Sequence, residues 1–182
     1  MVVEAKFYCP SCNKIWSESQ ISKEVGALVN EPEKPYVCPD CGSTLEYAIW
    51  RVMVERYAKM SRGLGFEEAK EVLRDKLENG VGHDVSDLYD LAECLNAALW
   101  KVYGVLDPSI SIEPYISHAD DCRDDDLEAT TEIKKKDRRF KVTLQSFGGC
   151  PFCTEEPLWE ILRQLDEFLR ESIEAWEVYF SD

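Results

Sequence analysis

The sequence predicts an α+β protein, and three observations carry that reading. Cysteine pairs on short turns, each preceded by aromatic residues, mark the first fifty positions. From residue 48 the spacing of apolar residues changes from two to about 3.6, the helical period. Near residue 140 alternation returns and leads through a further cysteine pair into a long amphipathic stretch. A chain of 182 residues is long enough for one sizeable domain or two small ones. The expected division is a cysteine-rich module over 1–47, a central helical block over 48–114, and a strand–CxxC knuckle–long helix unit over 115–182. The last helix is expected to pack on the helical block.

The first module is built from Cys9-Pro10-Ser11-Cys12 and Cys38-Pro39-Asp40-Cys41. Each pair sets two sulfurs on one tight turn, so both can face a single ion. The 25 residues between the pairs suffice for a hairpin that brings them together. Zn²⁺ takes four soft ligands in a tetrahedron, and four thiolates at this spacing supply them. Phe7-Tyr8 and Tyr36-Val37 precede the pairs, and Gly42 follows the second where a turn needs positive φ. On these residues, the segment 3–50 resembles a zinc ribbon. The resemblance speaks strongly for metal and selects no function, because ribbons serve many machines. Two thioredoxin-like redox pairs, or disulfides, are the other use of the same spacing.

In the helical block, Ile49, Trp50, Met53, Val54, Tyr57 and Met60 fall on one face that stops near Gly63-Leu64-Gly65. Phe66 to Asn79 reads as a second helix, with Glu67 and Glu68 in its first turn and Gly80 after its end. A third helix follows the capping run Asp84-Val85-Ser86-Asp87 and carries the stripe Leu88, Leu91, Leu95, Leu99, Val102 and Leu106. Cys94, inside that stripe, reads as a buried inert thiol, and His83 as a surface or capping residue. Pro108 and Pro114 bracket an irregular connection. Beyond it lie an acidic run, Asp120 to Asp126, and a basic run, Lys134-Lys135-Lys136-Asp137-Arg138-Arg139. Phe140 to Phe147 alternates as a strand, and Pro157 opens a final helix whose buried face includes Leu158, Leu162, Leu165, Leu169, Ile173 and Trp176.

A single pair, Cys150-Pro151-Phe152-Cys153, cannot close a tetrahedral site. The nearest spare ligands are His118 and Cys122, four residues apart and on one face if that segment is helical. The 27 residues between Cys122 and Cys150 nearly match the 25 between Cys12 and Cys38. His118, Cys122, Cys150 and Cys153 are therefore read as a second closed zinc site. Two resemblances compete for these residues. Strand–Gly-Gly-Cys-Pro-Phe-Cys–helix looks like the active-site turn of glutaredoxins, which implies that Cys150 attacks and Cys153 resolves. His118-Ala119-Asp120 with Cys150 and Cys153 is similar to the zinc deaminase pattern, which implies an open coordination position for water. In the deaminase comparison Asp120 stands where a Glu shuttles protons, and Gly149 where a Pro is expected. Both folds also need further elements, and 29 residues follow Cys153.

Composition narrows the function classes. The first residues show no basic segment followed by an apolar run, so no secretory signal is read. No stretch approaches the roughly 18 uninterrupted apolar residues of a membrane span. With six of eight cysteines in CxxC pairs, a reducing cytoplasm with metal-bound thiolates fits better than disulfides. The net charge is −15, unevenly spread: residues 1–60 carry 7 basic and 8 acidic side chains, and residues 111–182 carry 9 and 18. Such a chain is repelled by phosphate backbones and attracted to basic surfaces, though charge of this size also serves solubility alone. The first expectation is a non-catalytic adaptor or regulator that docks on a protein partner with a basic surface, in a nucleic-acid-handling or translation complex. The second is direct nucleic-acid binding through Lys134, Lys135, Lys136, Arg138 and Arg139 beside Phe140. The third is redox or hydrolytic chemistry at Cys150 and Cys153.

Overall fold

The computed structural model describes residues 3–25, 36–78, 85–106, 110–115, 126–133, 138–142 and 158–180. In chain order these form β1 (Lys6–Tyr8), β2 (Ile15–Ser17), α1 (Glu18–Val25), β3 (Glu46–Tyr47), α2 (Ala48–Met60), α3 (Phe66–Glu78), α4 (Val85–Lys101), β4 (Ile110–Tyr115), β5 (Asp126–Ile133), β6 (Arg138–Val142) and α5 (Leu158–Phe180). The fold is mixed α+β. The described strands make two antiparallel sheets, ordered β2-β1-β3 and β4-β5-β6.

Local chemistry accounts for the element ends. Helix α1, absent from the sequence expectation, follows a Ser-x-x-Gln capping box: the Ser17 backbone N–H donates to Gln20 Oε1 at 2.9 Å. Helix α2 buries Ile49, Trp50, Met53, Val54 and Tyr57, the face read from its periodicity. Helix α3 buries Ala69, Leu73 and Leu77 at four-residue intervals. Helix α4 stops earlier than its leucine stripe suggested. Gly104 has φ 69° and the Val105 N–H returns to the Leu99 carbonyl at 3.0 Å, the glycine-based C-terminal closure. Leu106 consequently lies outside the helix and is 82% exposed.

The connection expected to be irregular around Pro114 is strand β4. Its register sets Ile110, Ile112 and Pro114 opposite Thr131, Ala129 and Leu127 of β5. Proline is tolerated there because β4 is an edge strand, where one backbone side is free of ladder bonds. Asn96 of α4 covers part of that free side. Its Oδ1 accepts the Ile112 N–H at 2.7 Å and its Nδ2 donates to the Ile112 carbonyl at 2.9 Å. One side-chain amide thus stands in for a neighbouring strand, and Ile112 is buried beneath it.

A continuous apolar core runs from Phe7 and Leu45 through Ile49, Met53, Leu95 and Leu99 to Leu165 and Trp176. Helix α5 contacts α2, α3, β3 and β6. Inside this core Asp166 of α5 is 0% exposed. Its Oδ1 accepts the Tyr103 hydroxyl and its Oδ2 accepts Arg170 Nε at 2.8 Å. Burial raises its carboxyl to about 6, against the lowering pull of Arg170 and Tyr103, with Glu18 adding a smaller upward push. Lys6 of β1 completes the clasp, donating to the Val102 carbonyl at 3.2 Å and sitting 5.9 Å from the Tyr103 ring.

Asn96→Ala is expected to lower stability by about 1–3 kcal/mol in chemical denaturation, because the two Ile112 groups lose their partner. An unchanged midpoint would show that water replaces the amide without loss. Asp166 adds a pH signature. Because the folded carboxyl holds its proton more tightly than the unfolded one, stability from this group is present below pH ~4 and lost as pH rises through about 6. Relative to Asp166→Asn, the native chain is expected to lose on the order of 2–3 kcal/mol between pH 4 and 7. Parallel stability curves for the two proteins would refute this.

Candidate metal centre

Two turns of the same construction hold the first four cysteines. In the first, the Cys9 N–H donates to the Lys14 carbonyl and the Asn13 N–H donates to the Cys9 carbonyl, both at 2.9 Å. In the second, the Cys38 N–H donates to Ser43 at 2.7 Å and the Gly42 N–H to Cys38 at 2.8 Å. Asn13 and Gly42 occupy equivalent positions, and both are left-handed, with φ 56° and 74°. Glycine adopts that conformation freely, and asparagine is the side chain that tolerates it best. The Tyr8 hydroxyl donates to Asn13 Oδ1 and holds the asparagine in place.

Strand β1 runs into the first turn, and the Val37–Thr44 bridge flanks the second. Pairing of β1 with β3 brings the chain after the second turn alongside the first. The result is a cluster in which the ligand atoms of Cys9, Cys12, Cys38 and Cys41 all lie within 4.8 Å of one another. Cys9 Sγ and Cys41 Sγ are 3.5 Å apart. Sulfurs about 2.3 Å from a tetrahedral zinc stand about 3.8 Å apart, so four sulfurs all within 4.8 Å of one another can surround one such ion. A disulfide requires about 2.05 Å, and the four thiols are free.

The turns are tied to each other outside the sulfurs. Ser11 and Ser43 hydroxyls are 2.9 Å apart, and Lys14 pairs with Asp40 across the two turns. The Cys12 N–H approaches Cys9 Sγ at 3.4 Å, and Ser43 donates to Cys41 through hydroxyl and backbone. Donors of this kind stabilise negative sulfur. The Ser43 bonds pull the Cys41 thiol down to about 6, while its bond to Cys41, followed by burial, pushes the Cys12 thiol up to about 12. Four neighbouring thiolates repel one another unless a cation balances them. The donor set therefore fits Zn²⁺. With four protein sulfurs it leaves no coordination position for substrate or water.

Burial is asymmetric. Cys9 and Cys38, the first cysteine of each pair, are 0% and 2% exposed and belong to the main core, whereas Cys41 is exposed. Next to them Phe7, Tyr36 and Tyr47 gather around Trp159 of α5, with ring centroids 6.2, 6.0 and 4.5 Å away. Arg51 of α2 lies 4.8 Å from the Tyr8 ring and 5.4 Å from Phe66. The cluster is thus joined to both ends of the chain by aromatic packing.

His118, Cys122, Cys150, Cys153, Lys134, Lys135 and Lys136 lie outside the described residues, as does the acidic run before Asp126. Arg138 and Arg139 begin strand β6, and the register sets Arg139 opposite Glu132. Cys94 is buried, and burial, followed by the charge of Asp90, pushes its thiol up to about 12. Among the described residues no helix is long and apolar enough to cross a membrane. Sequence reasoning overlooked Asn13, Ser11, Lys14, Asp40 and Ser43. The usable signal was positional: Asn13 and Gly42 each stand four residues after the first cysteine of a pair. Comparison with protein-family models, with curated proteins and with solved structures gives no match to this chain.

Purified protein is expected to contain zinc, and a strong chelator is expected to lower its melting temperature markedly. Zinc in such a site is worth on the order of 10 kcal/mol, comparable to a domain's whole stability. Cys38→Ser, which removes a buried ligand, is expected to lose the metal and more than about 3 kcal/mol. A melting curve indifferent to chelation would remove the metal from this reading.

Proposed function

We propose that the protein is a zinc-binding, non-catalytic adaptor or regulator. It docks through an acidic surface and its zinc module onto a basic face of a protein partner, in a nucleic-acid-handling or translation complex. The observation that carries this reading is the four-sulfur cluster itself, which leaves no open coordination position and shares its core with the helices. A metal so enclosed stabilises a surface and does no chemistry. The net charge of −15 supplies the attraction, and α3 turns Glu67, Glu68 and Glu71 to solvent. Such a field speeds encounter with a cationic partner and weakens as salt screens it. His118, Cys122, Cys150 and Cys153 extend the proposal to a second closed site, for which a zinc content near two per chain is the support and a content near one the refutation.

Immobilised, zinc-loaded protein is expected to retain a basic protein at low salt, to keep it after nuclease treatment, and to release it as salt rises. Retention of nucleic acid that disappears when Lys134, Lys135, Lys136, Arg138 and Arg139 become Gln would assign direct nucleic-acid binding instead. An empty eluate at low salt would sink the adaptor reading.

A further inference from the structure

The four sulfurs are alike in chemistry and unlike in access. Cys9 and Cys38 are in the core, Cys12 is half-buried, and Cys41 meets solvent. A zinc held only for structure is best enclosed, so an exposed thiolate ligand is the vulnerable point of the cluster. Across the cluster, Cys41 Sγ stands 3.5 Å from Cys9 Sγ, which belongs to the other turn, 32 residues away in sequence. Closing to a disulfide requires a movement of about 1.5 Å between these sulfurs. The two turns that carry them are already tied by the Ser11–Ser43 and Lys14–Asp40 contacts.

Building on the zinc reading above, we propose that this centre is a peroxide-sensitive switch in which Cys41 is oxidised first, Cys9 closes a disulfide onto it, and the zinc is released. The Cys41 thiolate attacks one oxygen of a hydroperoxide. The O–O bond breaks, leaving Cys41 as a sulfenic acid and expelling hydroxide, or alkoxide from an organic peroxide. The Cys9 thiolate then attacks the Cys41 sulfur, the S–S bond forms, the S–O bond breaks, and a second hydroxide departs. The two sulfurs together give up two electrons, the peroxide takes them, and protons from solvent convert the expelled anions to water or alcohol. Two ligands are lost, so the ion leaves, and Cys12 and Cys38 regain protons.

The cross-turn connection gives this oxidation a defined product. A bond between Cys9 and Cys41 keeps the two hairpins joined where zinc had joined them, while the Phe7, Tyr47 and Trp159 packing stays in place. The oxidised chain therefore keeps its helices and changes its exposed zinc face, the surface on which a partner docks. Dithiol reduces the bond, and added zinc restores the original centre.

The test treats full-length, zinc-loaded protein with stoichiometric hydrogen peroxide. Zinc release is followed with a chromogenic chelator, and the products are mapped by non-reducing peptide mass spectrometry. The expected result is a Cys9–Cys41 linkage formed in step with zinc release, with the far-UV helical signal retained and both changes reversed by dithiothreitol and zinc. Cys41→His offers a nitrogen ligand that peroxide oxidises far less readily, and its zinc release is expected to be at least tenfold slower. If this variant fails to load zinc, the mapping of the native chain decides alone. A first linkage joining any other pair, sulfinate at Cys41 without a linkage, or native-rate release from Cys41→His overturns the proposal. Protein that carries no zinc before peroxide is added overturns the metal reading beneath it, an outcome separate from all of these.

Discussion

The arrangement of the N-terminal half depends on four sulfurs having to converge. Neither cysteine turn has enough surface to fold alone, and each leaves backbone groups that must be satisfied within the turn. They meet because β1 pairs with β3, and the meeting places Cys9 and Cys38 in the main core while their partners Cys12 and Cys41 lie further out. Bringing four thiols together is unfavourable by charge once any two ionise, and a cation held between them offsets that repulsion. The same convergence sets Phe7 and Tyr47 beside Trp159 and so determines where the last helix begins to pack.

Two polar contacts then select one arrangement of the helical part. Hydrophobic packing alone is tolerant of small slides and rotations. Asn96 removes that tolerance for β4, since its amide matches the donor and acceptor of one residue, Ile112, and a shift along the strand would leave both unpaired. Asp166 does the same for α5. A fully buried carboxylate needs both Tyr103 and Arg170, and rotating the helix would strand a charge in the core. Asp166 is fully buried and Asn96 partly so, and the value of both lies in specifying position, with the polar groups of each satisfied.

Electrostatics work on two scales. The ion pairs, such as Arg56–Glu93 at 3.0 Å and Lys76–Asp87 at 2.5 Å, join neighbouring helices and contribute modestly to stability. The excess of 36 acidic over 21 basic residues acts at longer range, as a field that attracts cationic groups and repels phosphate. The four-sulfur cluster and the net charge of −15 are the two features on which the proposed recognition role rests.

By itself the sequence determined what depends on residue spacing. The Cys-Pro-x-Cys pairs singled out the four cysteines that the structure brings together, because sulfurs two residues apart on a tight turn can face one point. Regular apolar intervals defined α2 and α3, since a helix repeats its environment every three to four residues. Alternation from Phe140 onward anticipated β6 over 140–142, the described strand beginning two residues earlier at Arg138, and positions 143–147 of that expectation lie outside the described residues. Short elements escaped because their signals are single residues: Gln20 for α1, Gly104 for the end of α4, Ile110 and Ile112 for β4. Only the tertiary structure decided which cysteines are buried, which sulfur of one turn faces the other, and that an asparagine on one helix completes a strand. Those facts rest on contacts between residues far apart in the chain, such as Cys9 with Cys41 and Tyr103 with Asp166, and no local pattern encodes the distance between them.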